Sequence, residues 1–447
     1  MTSLEDLIRL REKYPDNGVC TGSDNIRCDE AAPPDSGPIL FSDGRRMRVE
    51  KGVMHTVVFG ASGVGKSRSY MVPQILKDCK LGYNLVVSDC KGELHEMTSG
   101  HLAAAGYNVR VLNFAEPCHS DCMSLFKLPY NLIRSGDSVD IAKGKSLLMD
   151  LSKIFCPVTA EKDPSWEITA STMLYALAFL CISESKSCED VTFDSIMRRK
   201  NVLMSDSDEV HAAIRSMERH PDVQSGLRVF LMDAKTTLSC YCVILEQALL
   251  KFAFNSAIMT VLSRDQVSAD LLSSAENEAL FIIFPDETST YSPLVSSVVK
   301  VIYESLIREA RRLPGRTLQR RVHFMLDEFA QMPLADFPAA ISAARSRNVM
   351  FTLVIQAMSQ MVDKFGQASA ETILNNCAVW IYLGGSDLDI VNRISELGGI
   401  EKERILRLDR KSGEAVVRIA NKETFISRLV DISRYELAEV PPLCLPL

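Results

Sequence analysis

The run Gly60-Ala61-Ser62-Gly63-Val64-Gly65-Lys66-Ser67 combines glycines, a lysine and a hydroxyl in an order suited to holding phosphate. Glycines let successive backbone N–H groups curl around phosphate oxygens, where a Cβ would crowd the chain. In such a loop Lys66 reaches the β- and γ-phosphates of a bound ATP, and the Ser67 hydroxyl binds Mg²⁺. A chance glycine turn has the same composition, and its surroundings decide between the two. The β-branched, apolar run 55–59 precedes the loop, and residues 69–78 can be helical, with Pro73 implying an early irregularity. A strand–loop–helix junction sets the partial positive charge of a helix N-terminus against the phosphates.

The second cluster is Asp327-Glu328, at the end of the apolar run 322–326. In a parallel sheet that end faces the nucleotide. Asp327 then holds the Mg²⁺ shell, and Glu328 orients or deprotonates the attacking water. An isolated Asp-Glu pair is common on surfaces; one that ends a buried strand downstream of a phosphate loop reads as a hydrolytic site. Gln356 ends the next apolar run, 349–355. It is placed to bond both the γ-phosphate and the water, or else to cap the helix that follows. Arg345 lies just before that run. It is the candidate for an arginine donated to a neighbouring subunit's site, worth about 10³ to 10⁵ in rate where such residues have been measured. The alternative is a solvated arginine balancing a helix end. Arg308, Arg311, Arg312, Arg316, Arg320 and Arg321 precede the Asp327 strand, at the edge opposite the nucleotide. A solvated basic helix end is favoured there over contact with DNA or anionic lipid, and Trp166 reads as a packing anchor rather than a base-stacking platform.

These positions need a scaffold. The chain has 447 residues, 47% hydrophobic and 24% charged, ordinary for a globular protein but long for one compact core. Two domains, or one domain carrying an insertion, are expected. Short apolar strands (84–87, 108–112, 279–284, 322–326, 349–355 and 379–383) alternate with helical sequence, the pattern of a parallel sheet covered on both faces. The fold class expected is α/β, with a mostly parallel sheet, helices on both faces and an inserted all-α domain. The boundaries expected are a partly irregular leader at 1–50 (a short helix, then irregular chain), a discontinuous nucleotide-binding domain at 51–125 and 276–447, and a helical insertion at 126–275. Residues 414–418 and 425–429 suggest a closing hairpin or edge strands.

The net charge of −7 means that any DNA contact must come from a local patch or a channel lining. Thirteen scattered cysteines show no disulfide or zinc spacing and read as reduced, mostly buried thiols. Cys118, His119 and Cys122 form the tightest cluster and lack the second half of a metal site. The longest unbroken apolar run, 173–182, is short of the about 20 residues a bilayer requires, so no membrane span is expected. The N-terminus has no signal-peptide layout.

The series of motifs resembles a family. After the phosphate loop come Asp89-Cys90-Lys91-Gly92-Glu93, Asp163-Pro164-Ser165-Trp166-Glu167, Asp327-Glu328-Phe329-Ala330, Arg345, Gln356, Asn375-Asn376-Cys377 and Leu383-Gly384. Over about residues 50–400 this order is similar to the type IV secretion coupling proteins. These are TraG/TraD-like conjugal transfer ATPases, in the FtsK/HerA-like branch of RecA-fold motors. The resemblance implies an ATP-hydrolysing, Mg²⁺-dependent motor working as a homo-oligomer, a hexameric ring. It implies a place on the cytoplasmic side, peripheral at the inner face of the plasma membrane, beside type IV secretion channel ATPases and inner-membrane components. Its cargo would be a single-stranded DNA/relaxase complex or a protein effector, met by the helical insertion. The resemblance carries ATP binding onto residues 60–67, metal and water roles onto Asp327 and Glu328, sensing onto Gln356 and the trans arginine onto Arg345. Asp89, Lys91 and Glu93 become site neighbours.

Departures from the family are visible. Its opening transmembrane helices have no counterpart, so a soluble form docked on a membrane partner, or a chain without its membrane segment, is expected. Cys90 stands where a proline is common, Ala344 where glycine is frequent, and the chain ends soon after the core. Two other readings share the motifs. One is a HerA/FtsK-like translocase on double-stranded DNA in repair, segregation or defence; the other is a substrate-docking receptor switched by nucleotide, against which Glu328 argues. A P-loop kinase fits least, since no acceptor motif or small-substrate lid is evident.

Overall fold

The computed structural model of the chain describes residues 24–28, 32–158, 164–232, 234–253, 255–274, 276–285, 287, 289–334, 336–437 and 440–446. Packing divides these into two units, one within 1–111, 272–287 and 307–445, the other within 112–271, 288–306 and 446–447.

The first unit opens with a small antiparallel sheet of β1 (Asp24–Arg27), β2 (Ser36–Ser42) and β3 (Arg46–Lys51), in the order β1-β3-β2. Where the prolines suggest irregular chain, strands form. Pro38 sits where the β2–β3 register slips between Ser36 and Ile39, a position that tolerates its missing N–H. The short helix expected earlier in the leader lies outside the described residues. Ile39, Leu40, Met47 and Val49 bury this sheet in one cluster with Val58, Tyr70, Val72 and Ile75.

Nine strands form the main sheet: β4 (His55–Phe59), β5 (Asn84–Asp89), β6 (Asn108–Asn113), β7 (Glu278–Ile283), β8 (Val322–Leu326), β9 (Val349–Ile355), β10 (Cys377–Tyr382), β11 (Glu414–Ile419) and β12 (Thr424–Arg428). Their order is β12-β11-β10-β4-β9-β8-β5-β7-β6. From β10 through β7 every neighbouring pair is parallel, and the β11–β12 hairpin joins β10 antiparallel. Strands β4, β5, β7, β8 and β9 are buried at every residue, which is why they read as unbroken apolar runs. The strand ending at Gln356, β9, lies between the strand of the phosphate loop and that of the acidic pair.

A saturated polar layer supports the other end of these strands. Asp78 accepts hydrogen bonds from Gln74 Nε2 (3.1 and 3.2 Å), pairs with Lys77 (2.8 Å) and contacts His323 Nδ1 (2.6 Å). The other ring nitrogen of His323 meets Thr352 Oγ1 at 2.8 Å. Burial pushes the Asp78 carboxyl up, but Lys77 and His323 outweigh it and hold it below the ordinary carboxylate range. Nearby, Arg321 is buried, donates to Asp35 (2.6 Å), to Ser36 O (3.1 Å) and to Tyr83 Oη (3.0 Å), and lies over the Tyr83 ring. The expected solvated basic run therefore needs correcting at its end: Arg311, Arg312 and Arg316 are exposed, but Arg321 is a core clamp between the two sheets.

In the second unit, no strand occurs between residues 114 and 271 among those described. Its helices are Lys127–Ile133, Ser138–Phe155, Ser165–Glu184, Phe193–Ser205, Ser207–Ser216, Pro221–Arg228, Lys235–Ala253 and Ser256–Ser263. Asn255 starts the last of these, its side chain capping Ser256–Ser263 by accepting from the N–H groups of Ala257 and Ile258. Ser165–Glu184 is the core helix, packed against Ser138–Phe155, Pro221–Arg228 and Lys235–Ala253. At 20 residues and a mean hydropathy of 1.4, it is long and apolar enough to cross a membrane by length and composition. Counting unbroken apolar residues missed it, because Ser171 and Thr172 interrupt the run. Here it is covered by its neighbours, with Leu174, Leu177, Phe179 and Ile182 all buried. Trp166, half-buried in its first turn, meets the Tyr241 ring at 4.9 Å, a packing contact.

Candidate active site

The carboxyl ends of adjacent parallel strands bring the candidate residues to one edge of the sheet. Gly60 follows β4, Gln356 follows β9, Asp327 and Glu328 follow β8, and Asp89 ends β5. The phosphate loop is pinned on both sides: the Gly60 N–H donates to Ile355 O (3.2 Å) and the Ala61 N–H to Gly384 O (3.1 Å). Gly65, at φ +91°, turns the chain into the helix, a conformation few other residues adopt. The first turn, Lys66–Met71, is π-type and passes into the α-helix Val72–Lys80 with Pro73 in its first turn. The irregularity expected at Pro73 therefore falls in the turn ahead of it. Lys66 is buried, and its ammonium donates to Gly60 O (2.9 Å) and Ala61 O (3.2 Å), across the loop. Ser67 is half-buried beside it.

Asp327 and Glu328 are both buried. Glu328 has φ +51°, a left-handed backbone costing on the order of 1–3 kcal/mol for a residue with a side chain. Its carboxylate accepts from Gln356 Nε2, and its N–H donates to Asp327 Oδ1 at 3.1 Å. Burial, reinforced by the Glu328 carboxylate, pushes Asp327 up to about 6, while Lys66 pulls the other way. The Cys90 thiol donates to Asp327 Oδ2 at 3.4 Å, and Ser88 Oγ to Asp327 O at 3.0 Å.

Asp89 points into its own turn. Its carboxylate accepts from the His95 N–H (2.8 Å) and the Lys91 N–H (3.4 Å), capping the helix Glu93–Ala104. Burial pushes it up to about 6 against those bonds, and the charge of Asp327 adds to the rise. Lys91 and Glu93 are exposed, so the residue of this motif that touches the acidic pair is Cys90. In the sequence Cys90 stands out only as a residue where a proline is common, and its place in the motif is the available signal.

Arg345 is not brought to this edge. It is exposed in the turn Arg345–Arg347 ahead of β9. The seven residues of β9 separate it from Gln356, about 23 Å at the rise of a strand. Asp163 lies outside the described residues. In the cluster of Cys118, His119 and Cys122, His119 faces Glu116 at 3.4 Å; among the described residues no group of three His, Cys, Asp or Glu side chains is placed to hold a metal ion.

A family model described as type IV secretory system conjugative DNA transfer matches residues 14–405. The chain belongs to this family. Within the conjugative transfer family, it is 23% identical to the probable conjugal transfer protein TraG of Sinorhizobium fredii over 429 residues, 92% of this chain and 62% of that one. Protein VirD4 of Agrobacterium fabrum is 20% identical over 353 residues, 77% of this chain and 49% of that one. The chain thus spans about half to three-fifths of the length of these relatives. Among solved structures, the bacterial conjugative coupling protein TrwBdeltaN70 in its unbound form superposes with a TM-score of 0.61 at 17% identity, covering 88% of each chain. The plasmid coupling protein TrwB in complex with ADP and Mg²⁺ gives 0.59 at 17% identity, covering 87% of this chain and 86% of that one. The fold is that of these TrwB structures, a mixed α/β fold around a mostly parallel sheet.

Proposed function

We propose that this chain is the ATP-hydrolysing motor of a type IV coupling protein, moving DNA or a protein effector toward a secretion channel. The observation that carries the reading is Glu328: a buried carboxylate in a strained backbone, bonded by Gln356, one residue from Asp327 at the loop edge. A chain that only switched shape with nucleotide would have no use for a carboxylate held in this way.

Residues 60–67 bind the phosphates, with Lys66 beside the β- and γ-phosphates. Ser67 and Asp327 offer the sparse oxygen set that Mg²⁺ takes, its remaining partners being phosphate and water. A bound Mg²⁺ supplies neutralisation of phosphate charge. Glu328 accepts the proton of the water that attacks the γ-phosphorus, releasing ADP and phosphate. Gln356 orients Glu328 and registers whether the γ-phosphate is intact. Arg345, far from its own loop, serves the site of a neighbouring subunit in a homo-oligomer, a hexamer. The helical domain, expected at 126–275, faces the cargo, a single-stranded DNA/relaxase complex or an effector. The motor works on the cytoplasmic side at the inner membrane, with channel ATPases and inner-membrane components as partners.

ATP turnover of the purified chain, alone and with single-stranded or duplex DNA, tests this reading alongside its mass in solution. Low basal turnover rising with single-stranded DNA as rings assemble is the expected outcome. Stimulation by duplex alone would favour a double-stranded DNA translocase, and no turnover under any condition would sink the motor assignment. Arg345→Ala should be inactive, yet partly rescued in rings mixed with Glu328→Gln subunits; absence of rescue at every ratio counts against the trans role.

A further inference from the structure

The sheet order gives the candidate site a direction. Glu328 and Gln356 stand on the β9–β8 side of the phosphate loop, and β10 flanks its other side. For a nucleotide lying along this sheet edge with its terminal phosphate at Glu328, the nucleoside end falls on the β10 side. There, Gly384 O accepts the Ala61 N–H, and Gly385 packs so closely that a Cβ on it would stand 3.3 Å from Ala61 N.

Arg410 reaches this point from far along the chain. A Cβ placed on Gly384 would stand 2.8 Å from Arg410 Nε, 3.3 Å from Cζ and 3.4 Å from Nη2, so the guanidinium lies against bare backbone that only glycine provides. The turn presenting it is built firmly. Asp409 Oδ1 accepts from the N–H of Lys411 (3.1 Å) and of Ser412 (3.4 Å), and the Asp409 N–H donates to Glu414 (2.8 Å). Glu414 is in turn held by both arms of Arg404 (2.8 and 2.9 Å). Arg410 is exposed, and it forms no ion pair among the described residues. A rigid turn thus holds an uncommitted planar cation against the flank of a phosphate loop.

We propose that Arg410 contacts the nucleobase of the nucleotide bound to its own chain, its guanidinium plane stacking on the ring face. The proposal rests on reading residues 60–67 as a nucleotide loop. The triphosphate is served by the loop amides and Lys66, whereas Gly384 lies a strand away, about 4.8 Å in the sheet, where ribose and base emerge. Arginine suits the task because its delocalised, weakly hydrated plane stacks on π-faces, which an ammonium cannot do.

The test is equilibrium binding of Mg-ATP and of Mg-tripolyphosphate to the full chain and to Arg410→Ala and Arg410→Lys. Arg410→Ala should weaken ATP about 10-fold, the effect of losing one stacking contact, and leave tripolyphosphate unchanged. Arg410→Lys keeps the charge but not the plane, and should behave like the alanine variant toward ATP. Equal losses for both ligands would show a phosphate contact and overturn the proposal, as would unchanged binding of both or full recovery by lysine. If the unaltered chain binds neither ligand, the loop reading fails and takes this inference with it, an outcome distinct from a variant that matches the parent.

Discussion

The two ends of the same parallel strands treat charge in opposite ways. At the starting end, each buried charge has a partner: Asp78 has Lys77 and His323, and Arg321 has Asp35, Ser36 O and Tyr83. At the carboxyl end, Asp327, Glu328 and Asp89 gather with backbone N–H groups, a thiol and an amide, and burial with mutual repulsion lifts Asp327 and Asp89 to about 6. A network satisfied within itself serves stability, because removing any partner strands the others. Carboxylates crowded against each other at a strained backbone are costly unless something brought in from outside uses them. One sheet therefore carries a self-satisfied polar layer at one end and its candidate site at the other.

The sharpest break in that comparison is Glu328→Gln. Turnover should fall about 10²- to 10⁴-fold, the usual worth of a general base, while nucleotide binding and thermal stability persist. Normal turnover in a stopped-time phosphate assay would place the base elsewhere. Asp78→Ala should do the reverse, costing about 3–5 kcal/mol in urea unfolding because Lys77 and His323 are left buried without their partner. A loss under 1 kcal/mol would mean that this layer is not the support described.

A smaller effect sharpens the comparison through pH. His55 uses both ring nitrogens as a neutral imidazole, accepting from the Phe351 N–H (3.1 Å) and bonding Ile341 O (2.9 Å). Burial pushes its pKa from 6.5 down to about 3. The unfolded chain thus takes up a proton that the folded chain refuses, and stability is lost as pH falls from about 6.5 toward 3. Between pH 6.5 and 5 the loss from this group is about 2 kcal/mol. The stability gap between the parent and His55→Gln should narrow by that amount; a pH-independent gap would contradict it. Smallest is Gln356→Ala, which loses one hydrogen bond to a charged group and should lower turnover about 10-fold. An unchanged rate would mean that the bond from Gln356 to Glu328 has no part in turnover.

The sequence speaks most clearly where structure is local. The placement of residues 60–67 and of the acidic pair at strand ends is legible because each directly follows a fully buried strand, whose apolar run is unmistakable. The parallel sheet is legible for the same reason. Contacts made across the chain left little trace. Arg321 stands in a basic run and reads as solvated until Tyr83 and Asp35 close over it. Cys90 reads as a neutral replacement until its thiol meets Asp327. The small leader sheet is hidden by Pro33, Pro34 and Pro38, because a register slip that accommodates proline has no pattern of its own. Gly384 and Arg410 are too far apart in sequence for either to announce the other.

Strand β9 has a mechanical consequence. Extended backbone hydrogen-bonded to β4 on one side and β8 on the other behaves as a strut, with almost no give along its length. Its far end carries Gln356, in touch with Glu328, and its near end carries the turn of Arg345. Seven residues of paired strand thus form the connection between Gln356 and the Arg345 turn. In a ring in which Arg345 reaches the next subunit, each chain would feel through β9 how far its neighbour has progressed, and firing order would be set by a rod rather than by a wave of refolding.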